Sequence, residues 1–409
     1  MKKICLVIVG IYLYLFAAFA QTKDSVSQVK DSANYKSRKL KIEEINFVSS
    51  YYHQEGDNSA VTGGIGTEKL SDYANVLEVR LSKYGKNNLK HEVDANVGID
   101  YYTSASSDNI DPHTISSASH QDVRFYPSLS YGITNEKKGL SITGMGSFSI
   151  ESDYQSHGLG ASVSKLSKDK NREFSAKAQV YLDEVRIILP IELRTATTGG
   201  LYGAPNEHEY PWRSRDSYSA SFTLSQVVNQ RFQAMLLADI VYQDGFLSLP
   251  FHRIYFKDGT ETTEHLPSTR FKVPIGVRAN YFLGDRFIIR AYYRYYQDDW
   301  GLKAHTIDIE TPIKLTPFFS VSPFYRFYTQ TGIRYFAPYM AHLPTDTYYS
   351  SNYDLSSFNS HFFGIGIRTT PPKGVLGIHQ ISMLELRYGH YITTNTLYAD
   401  IITLSLKFK

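Results

Sequence analysis

Four arginines in the second half of the chain have the spacing of a charged ladder. Arg278, Arg290, Arg294 and Arg326 fall on the polar side of neighbouring predicted strands, together with Asp298. Rings and ladders of charge set the ion preference of a pore. The pattern therefore predicts that Arg278, Arg290, Arg294, Asp298 and Arg326 line a lumen and attract anions. Asp308 and Glu310 supply opposite charges nearby, so a salt-bridge network that fills the interior stays open as an alternative.

Carboxylates and glycines offer a second set of candidates. Asp100, Asp108, Asn109, Asp111 and Asp122 lie in or beside one predicted loop region, and oxygen-rich loops can hold calcium. The spacing is not that of an EF-hand, so we assign no metal ligands and leave calcium binding open. The run Gly63–Gly66 lacks the strand and helix that a nucleotide loop requires, and it fits a tight outer loop better.

Catalytic signatures are missing from the sequence. We find no Walker loop, no His-Glu-x-x-His and no Gly-x-Ser-x-Gly, and the 13 histidines are scattered. No spacing singles out a Ser, His and carboxylate set. We therefore predict no catalytic residues, no enzyme activity and no cofactor, with a barrel-embedded hydrolase as the weakest alternative.

The elements that would position the arginines alternate with a period of two. In residues 270–283, Phe271, Val273, Ile275, Val277 and their successors share one face, while charged side chains occupy the other. Seven apolar positions in register match a strand of about 9 to 11 residues that faces lipid on one side and water on the other. Residues 285–298 repeat the pattern after Gly284, which indicates a hairpin.

Sixteen such segments indicate an all-β, transmembrane, antiparallel up-and-down barrel, with fourteen strands as the alternative. Short connections alternate with longer ones, but three of the outer connections are short, which keeps the lower number open. Tyrosines cluster at expected strand ends, as in aromatic girdles. The predicted strands are 41–52, 72–83, 88–102, 121–133, 139–150, 157–166, 172–183, 216–228, 230–243, 270–283, 285–298, 302–315, 317–330, 358–370, 379–390 and 396–408.

Composition and the N-terminal residues set the expected compartment. The formal net charge of +3 gives no attraction to nucleic acid. Residues 1–20 have two lysines, an apolar run and a small-residue site ending at Ala20, which is typical of a signal peptide and contains the single cysteine, Cys5. Residues 21–40 are polar and aperiodic, and predict a flexible periplasmic lead-in before a barrel over 41–409.

Tyr292–Leu302 contains Asp-Asp-Trp-Gly, and Pro323–Gln330 contains Tyr-Arg-Phe-Tyr. These two motifs resemble an uncharacterised family of Gram-negative β-barrel proteins, domain of unknown function three-five-seven-zero. Ser59–Asp72 and Asp100–Asp122 are similar to it as well, so the resemblance runs from about Leu40 onward. It implies an exported outer-membrane barrel but no activity, because the family has no assigned residues.

Together these features predict an outer-membrane channel or transporter for small polar or anionic solutes. The alternative is a loop-capped structural or adhesive scaffold for surface or periplasmic partners. The expected partners are outer-membrane lipid and lipopolysaccharide, the barrel-insertion machinery and a small polar solute, and we expect a monomer that binds no nucleic acid.

Overall fold

The computed structural model describes residues 40–85, 88–103, 121–193 and 210–409. The predicted signal peptide and all but the last residue of the predicted lead-in lie outside these ranges, so both stay predictions. No helix in the described ranges is long and apolar enough to cross a membrane.

The described chain is built from antiparallel strands, and the longest of them have 15 to 18 residues. Their bounds are β1 Lys41–Glu55, β2 Leu70–Tyr84, β3 Leu89–Thr103, β4 Gln121–Asn135, β5 Leu140–Ile150, β6 Tyr154–Leu166, β7 Arg172–Arg186, β8 Trp212–Asn229, β9 Phe232–Gly245, β10 Arg253–Tyr255, β11 Glu261–Thr263, β12 Thr269–Leu283, β13 Phe287–Asp298, β14 Lys303–Glu310, β15 Ile313–Thr316, β16 Phe319–Gln330, β17 Phe358–Thr369, β18 Ile381–Thr393 and β19 Tyr398–Phe408.

Each barrel strand pairs with its neighbours in sequence, and β19 pairs with β1, which closes the sheet. β14 and β15 are two parts of one barrel strand, interrupted at Thr311 and Pro312; Pro312 has no N–H to donate to a ladder. The barrel therefore has sixteen strands, and the prediction of an all-β up-and-down barrel of about sixteen strands is confirmed. Its strand bounds differ from the predicted ones by a few residues.

Two faces follow from the alternation of the strands. Val277, Ile289, Tyr293 and Tyr325 belong to an outward face that leaves many large apolar side chains exposed. Arginines and their partner carboxylates occupy the alternate positions and point to the lumen. Backbone ladders satisfy the N–H and C=O groups around the whole ring, so a closed sheet needs no edge protection.

The two ends of the barrel differ in their connections. At one end, called the short-turn end, tight turns such as Gly284–Arg286 join the strands, with Gly284 at φ +65°. The exception there is the connection 370–380. At the other end, called the long-loop end, residues 56–69, 246–268 and 331–357 form long loops, while 151–153, 299–302 and 394–397 are short.

The packed core of the described chain lies in the connections at the long-loop end. Leu266, Trp300, Leu302, Ala304 and Ile333 bury one another there, and they come from three different connections and the start of β14. The hairpin formed by β10 and β11 belongs to the loop 246–268, and the sequence analysis did not predict it. The long-loop end is thus a packed structure of its own above the strands.

Candidate functional site: the barrel lumen

The predicted arginine ladder lies on the lumen face of β12, β13 and β16. Arg290 Nη1 lies 3.5 Å from Glu310 Oε1, and Arg326 Nε lies 2.9 Å from Asp308 Oδ2. The arginine side chains of these pairs are 49% and 50% exposed. Since both point into the lumen, water reaches them there, and exposed ion pairs of this kind contribute little to stability.

Two of the predicted arginines have no carboxylate within salt-bridge distance among the described residues. The guanidinium of Arg278 stands 5.4 Å from the ring centre of Tyr292, and Arg294 faces the lumen two positions along β13 from Tyr292. A cation over a tyrosine face is stabilised without losing its charge. Among the four predicted arginines, those without a carboxylate partner are therefore Arg278 and Arg294.

Asp298 differs from the other predicted residues because its side chain is fully buried, with 0% exposure. Its carboxylate pairs with Arg270 Nη2 at 2.5 Å and accepts hydrogen bonds from the Tyr296 hydroxyl and the Leu302 amide at 2.9 and 3.0 Å. The guanidinium of Arg270 lies 4.3 Å from the Trp300 ring. These contacts fix the corner between β12, β13 and β14 rather than presenting a charge to a solute.

An aromatic and guanidinium cluster continues this wall, and the sequence analysis missed it. Arg387 Nη1 lies 3.3 Å from Glu310 and 3.1 Å from Glu385, and its guanidinium stands 4.8 Å from the Phe324 ring. The ring of Phe362 lies 5.2 Å from that of Phe324. A cavity of about 170 Å³ opens beside them.

Glycines make room for these rings. A Cβ at Gly364 would lie 2.6 Å from Phe324, and one at Gly389 would lie 2.5 Å from Phe362. The pairing of glycine with a large ring across neighbouring strands is the sequence signal that could have indicated the cluster.

The opposite side of the lumen has a different chemistry. Strands β4, β5, β6 and β8 place many small hydroxyl side chains on the lumen face, and we call the side formed by β4 to β9 the hydroxyl wall. The side formed by β12 to β19 and β1 to β3 is called the charged wall. The hydroxyl wall includes Ser128, Ser130, Thr143, Ser147, Ser162, Ser164, Ser175, Ser219, Ser221 and Thr223, with Lys177 and Asp239 among them.

Loops from opposite sides of the barrel meet over the lumen. Arg253 in β10 donates from Nη1 to the Val61 carbonyl oxygen at 2.8 Å, and from Nη2 to Glu192 at 3.1 Å. Val61 lies between β1 and β2, Arg253 between β9 and β12, and these two positions are half a turn of the sixteen-strand ring apart. The side chain of Arg253 therefore links opposite sides of the barrel across the long-loop end.

Further contacts join the loops 246–268 and 331–357. Ser350 Oγ donates to Glu264 Oε1 at 2.6 Å, and the backbones of His265 and Tyr349 exchange hydrogen bonds at 2.8 and 3.1 Å. His252 Nδ1 lies 3.9 Å from Glu264, so serine, carboxylate and histidine are close together. Ser350 donates to the carboxylate and not to the histidine, and all three are buried, so the arrangement joins loops and is not that of a catalytic triad.

Two carboxylates face a small cavity between three connections at this end. Glu68, Asp354 and the amide of Asn395 belong to its lining. Burial, and next the negative charge of Asp354, raise the pKa of Glu68 to about 8. Near neutral pH, Glu68 is therefore largely protonated in the folded loops.

The acidic residues considered for calcium are only partly within the described ranges. Asp108, Asn109 and Asp111 lie outside them, and Asp100 accepts a hydrogen bond from Tyr126 at 2.7 Å. Asp122 instead meets Glu151 and Asp153, with their oxygen atoms within 4.8 Å of one another. Arg124 lies 3.5 Å from Glu151, and Tyr102 and Ser152 donate to the same group of carboxylates. Protein donors thus already compensate much of this charge.

With the geometry established, comparison with known sequences gives the family. A sequence model described as "Protein of unknown function (DUF3570)" matches residues 114–395. The chain belongs to this family. The match contains both Tyr292–Leu302 and Pro323–Gln330, whereas Ser59–Asp72 lies outside it, so the family match begins later than the resemblance suggested. No curated protein matches the chain.

Solved structures with a similar fold are distant in sequence. A BenF-like porin from Pseudomonas fluorescens Pf-5 is 8% identical, with a TM-score of 0.43 and coverage of 89% of this chain and 98% of the porin. OpdK from Pseudomonas aeruginosa, solved with vanillate, is 7% identical, with a TM-score of 0.41 and coverage of 89% and 97%. The ferric enterobactin receptor PfeA from P. aeruginosa is 12% identical, with a TM-score of 0.45 and coverage of 85% and 53%.

Proposed function

We propose that this protein is an outer-membrane channel that admits small polar solutes. The observation that carries the proposal is a closed sixteen-strand barrel whose lumen-facing guanidinium groups are half exposed, at Arg290 and Arg326. Charged groups that water reaches inside a ring with an apolar exterior are expected in a hydrated channel. The outward apolar face supports placement in the outer membrane, with the long-loop end outside the cell.

The pairing of charges makes the proposed ion preference weaker than the sequence suggested. Arg290 and Arg326 face Glu310 and Asp308, so their fields largely cancel at a distance. Arg278 and Arg294 would then carry the anion preference. Asp298 contributes none, because its carboxylate is buried against Arg270. We therefore propose that the solutes are small and polar, and that they are either uncharged or weakly anionic.

The test is single-channel conductance of the refolded chain in a planar bilayer. We expect stable steps for the wild type and a conductance about twofold higher for Arg253→Ala, because loss of this side chain releases the loop 246–268 from Val61 and Glu192. Arg172→Ala is the matched control, since Arg172 bonds Gln226 near the short-turn end and should leave the steps unchanged. Insertion without conductance in both wild type and Arg253→Ala would contradict the channel.

One observation favours the second candidate, a loop-capped scaffold for surface partners. The loops at the long-loop end form a hydrogen-bonded core with buried Ile254, Ser350 and Trp300, as a presenting surface requires. Under this alternative, Arg253→Ala would not raise conductance and the wild type would conduct nothing. The bilayer experiment therefore separates the two functions directly.

A further inference from the structure

Histidines on the described barrel strands all occupy the outward register, and five of the six lie near the long-loop end. Each of the five is within three residues of the strand end. They are His53, His157, His305, His361 and His390, and the sixth, His91, lies near the short-turn end. Three strand residues span at most about 10 Å, so the five side chains form a belt at the expected depth of the headgroups.

Two of these histidines each form a three-ring unit, and the two units have the same arrangement. In the first, His305 Nδ1 lies 2.8 Å from the Tyr293 hydroxyl, and its ring packs against Tyr295 at 5.2 Å. In the second, His361 Nδ1 lies 2.7 Å from the Tyr325 hydroxyl, with Phe327 at 5.4 Å. His305 is paired with Tyr295 across the β-ladder, and His361 is paired in the same way with Phe327. The repeat fixes both imidazoles in one orientation.

This orientation leaves one ring nitrogen of each imidazole, Nε2, toward the surroundings. The tyrosine hydroxyl is the partner of Nδ1 in both units, and when it donates to Nδ1 the imidazole proton lies on Nε2. Among the described residues, no hydrogen-bond partner lies at Nε2 of His305 or His361. At the depth of the headgroups, a phosphate oxygen can accept a hydrogen bond from Nε2 when this nitrogen carries the proton.

From this arrangement we infer that His305 and His361 bind the phosphate groups of a lipopolysaccharide headgroup. Their strands are separated by β16, and the register offset between Thr329 and Phe327 puts the imidazoles roughly 12 Å apart. One headgroup that carries two phosphates can span this distance. Lys303 lies exposed two residues from His305 on the same face and adds a positive charge at the rim.

The asymmetry of the belt decides between two sources of phosphate. Phospholipid phosphates occur at both surfaces of a membrane, whereas lipopolysaccharide occupies only the outer leaflet. Five outward histidines lie near the long-loop end, and His91 alone lies near the short-turn end. The inference therefore commits to lipopolysaccharide, and it rests on the outer-membrane placement proposed above.

The test measures binding of bisphosphorylated lipid A to the refolded full chain in nanodiscs. His305→Phe with His361→Phe keeps two aromatic rings and removes both outward ring nitrogens, and we expect binding at least fivefold weaker. The matched control is His91→Phe, since His91 forms the same pair with Tyr131 at 2.7 Å near the opposite end. Dephosphorylated lipid A should bind the wild type as weakly as the double variant binds lipid A.

Three results would overturn the inference. They are unchanged affinity in the double variant, equal affinity of wild type for dephosphorylated lipid A, and equal affinity for phosphatidylglycerol. Heat-modifiable migration on gels confirms that each variant is folded. Conductance of the same preparations separates the two proposals, because a barrel that binds lipid A without conducting contradicts only the channel.

Discussion

The charged wall and the hydroxyl wall divide one lumen into two environments. The charged wall carries large side chains that contact one another, such as Arg387 on Phe324 and Arg270 on Trp300. The hydroxyl wall carries small side chains such as Ser147, Ser162 and Ser221. Large side chains that bond to one another occupy space and stiffen their wall, while small ones leave space. In the proposed channel, the charged wall would be the framework and solutes would pass along the hydroxyl wall.

The largest effect should come from breaking the framework at Asp298. Asp298→Ala leaves Arg270 buried without its partner, and loss of one partner of a buried pair costs about 3–5 kcal/mol. Ser221→Ala on the hydroxyl wall should change the free energy of unfolding by less than about 0.5 kcal/mol. Urea unfolding in lipid vesicles checks both variants. Equal stability of the two would remove the distinction between the walls.

Filling the hydroxyl wall should have the next largest effect. Ser147→Trp together with Ser221→Trp places two indoles where hydroxyl groups stood, and we expect conductance to fall about fivefold. Phe324→Trp on the charged wall is the control, because a ring already occupies that space, and its conductance should stay close to the wild type. A larger loss from Phe324→Trp would move the path to the charged wall.

The smallest effect concerns ion preference. Arg278→Gln with Arg294→Gln removes the charges of the two predicted arginines that have no carboxylate partner, and the anion-to-cation permeability ratio should fall about twofold to threefold. Asp308→Asn with Arg326→Gln removes a compensated pair and should leave the ratio unchanged. Reversal potentials in a salt gradient measure both. If Asp308→Asn with Arg326→Gln shifts the ratio more than Arg278→Gln with Arg294→Gln does, the assignment of the anion preference to Arg278 and Arg294 is wrong.

The sequence predicted the barrel because each strand carries its own evidence. The alternation of Ile275 and Val277 with Gly276 and Arg278 is local, and lipid on one side with water on the other enforces it over the full strand. The split of the predicted strand 302–315 into β14 and β15 follows from Pro312 and was not predicted. The connection between β7 and β8 is shorter than the predicted 184–215, because β7 extends to Arg186 and β8 begins at Trp212.

The arrangement of the lumen could be predicted only in part. Arg290 and Glu310 lie on two strands that are consecutive in sequence and adjacent in the barrel, so their proximity follows from the strand order. Arg387 lies 77 residues after Glu310 and reaches it across the intervening strands, which requires the register and curvature of the sheet. The loop contacts of Arg253 and Ser350 were not predicted, because three-residue strands and irregular loops leave no periodic signal.

The link from Arg253 to Val61 has a mechanical consequence for the barrel. A ring of strands deforms most easily by flattening, in which two opposite walls approach while the other two separate. A side chain that spans from the loop above β1 and β2 to the loop above β9 and β12 resists separation along that diameter. At the short-turn end, no side chain of the described residues links opposite sides of the barrel, so thermal ovalisation should be greater there than beneath the loops.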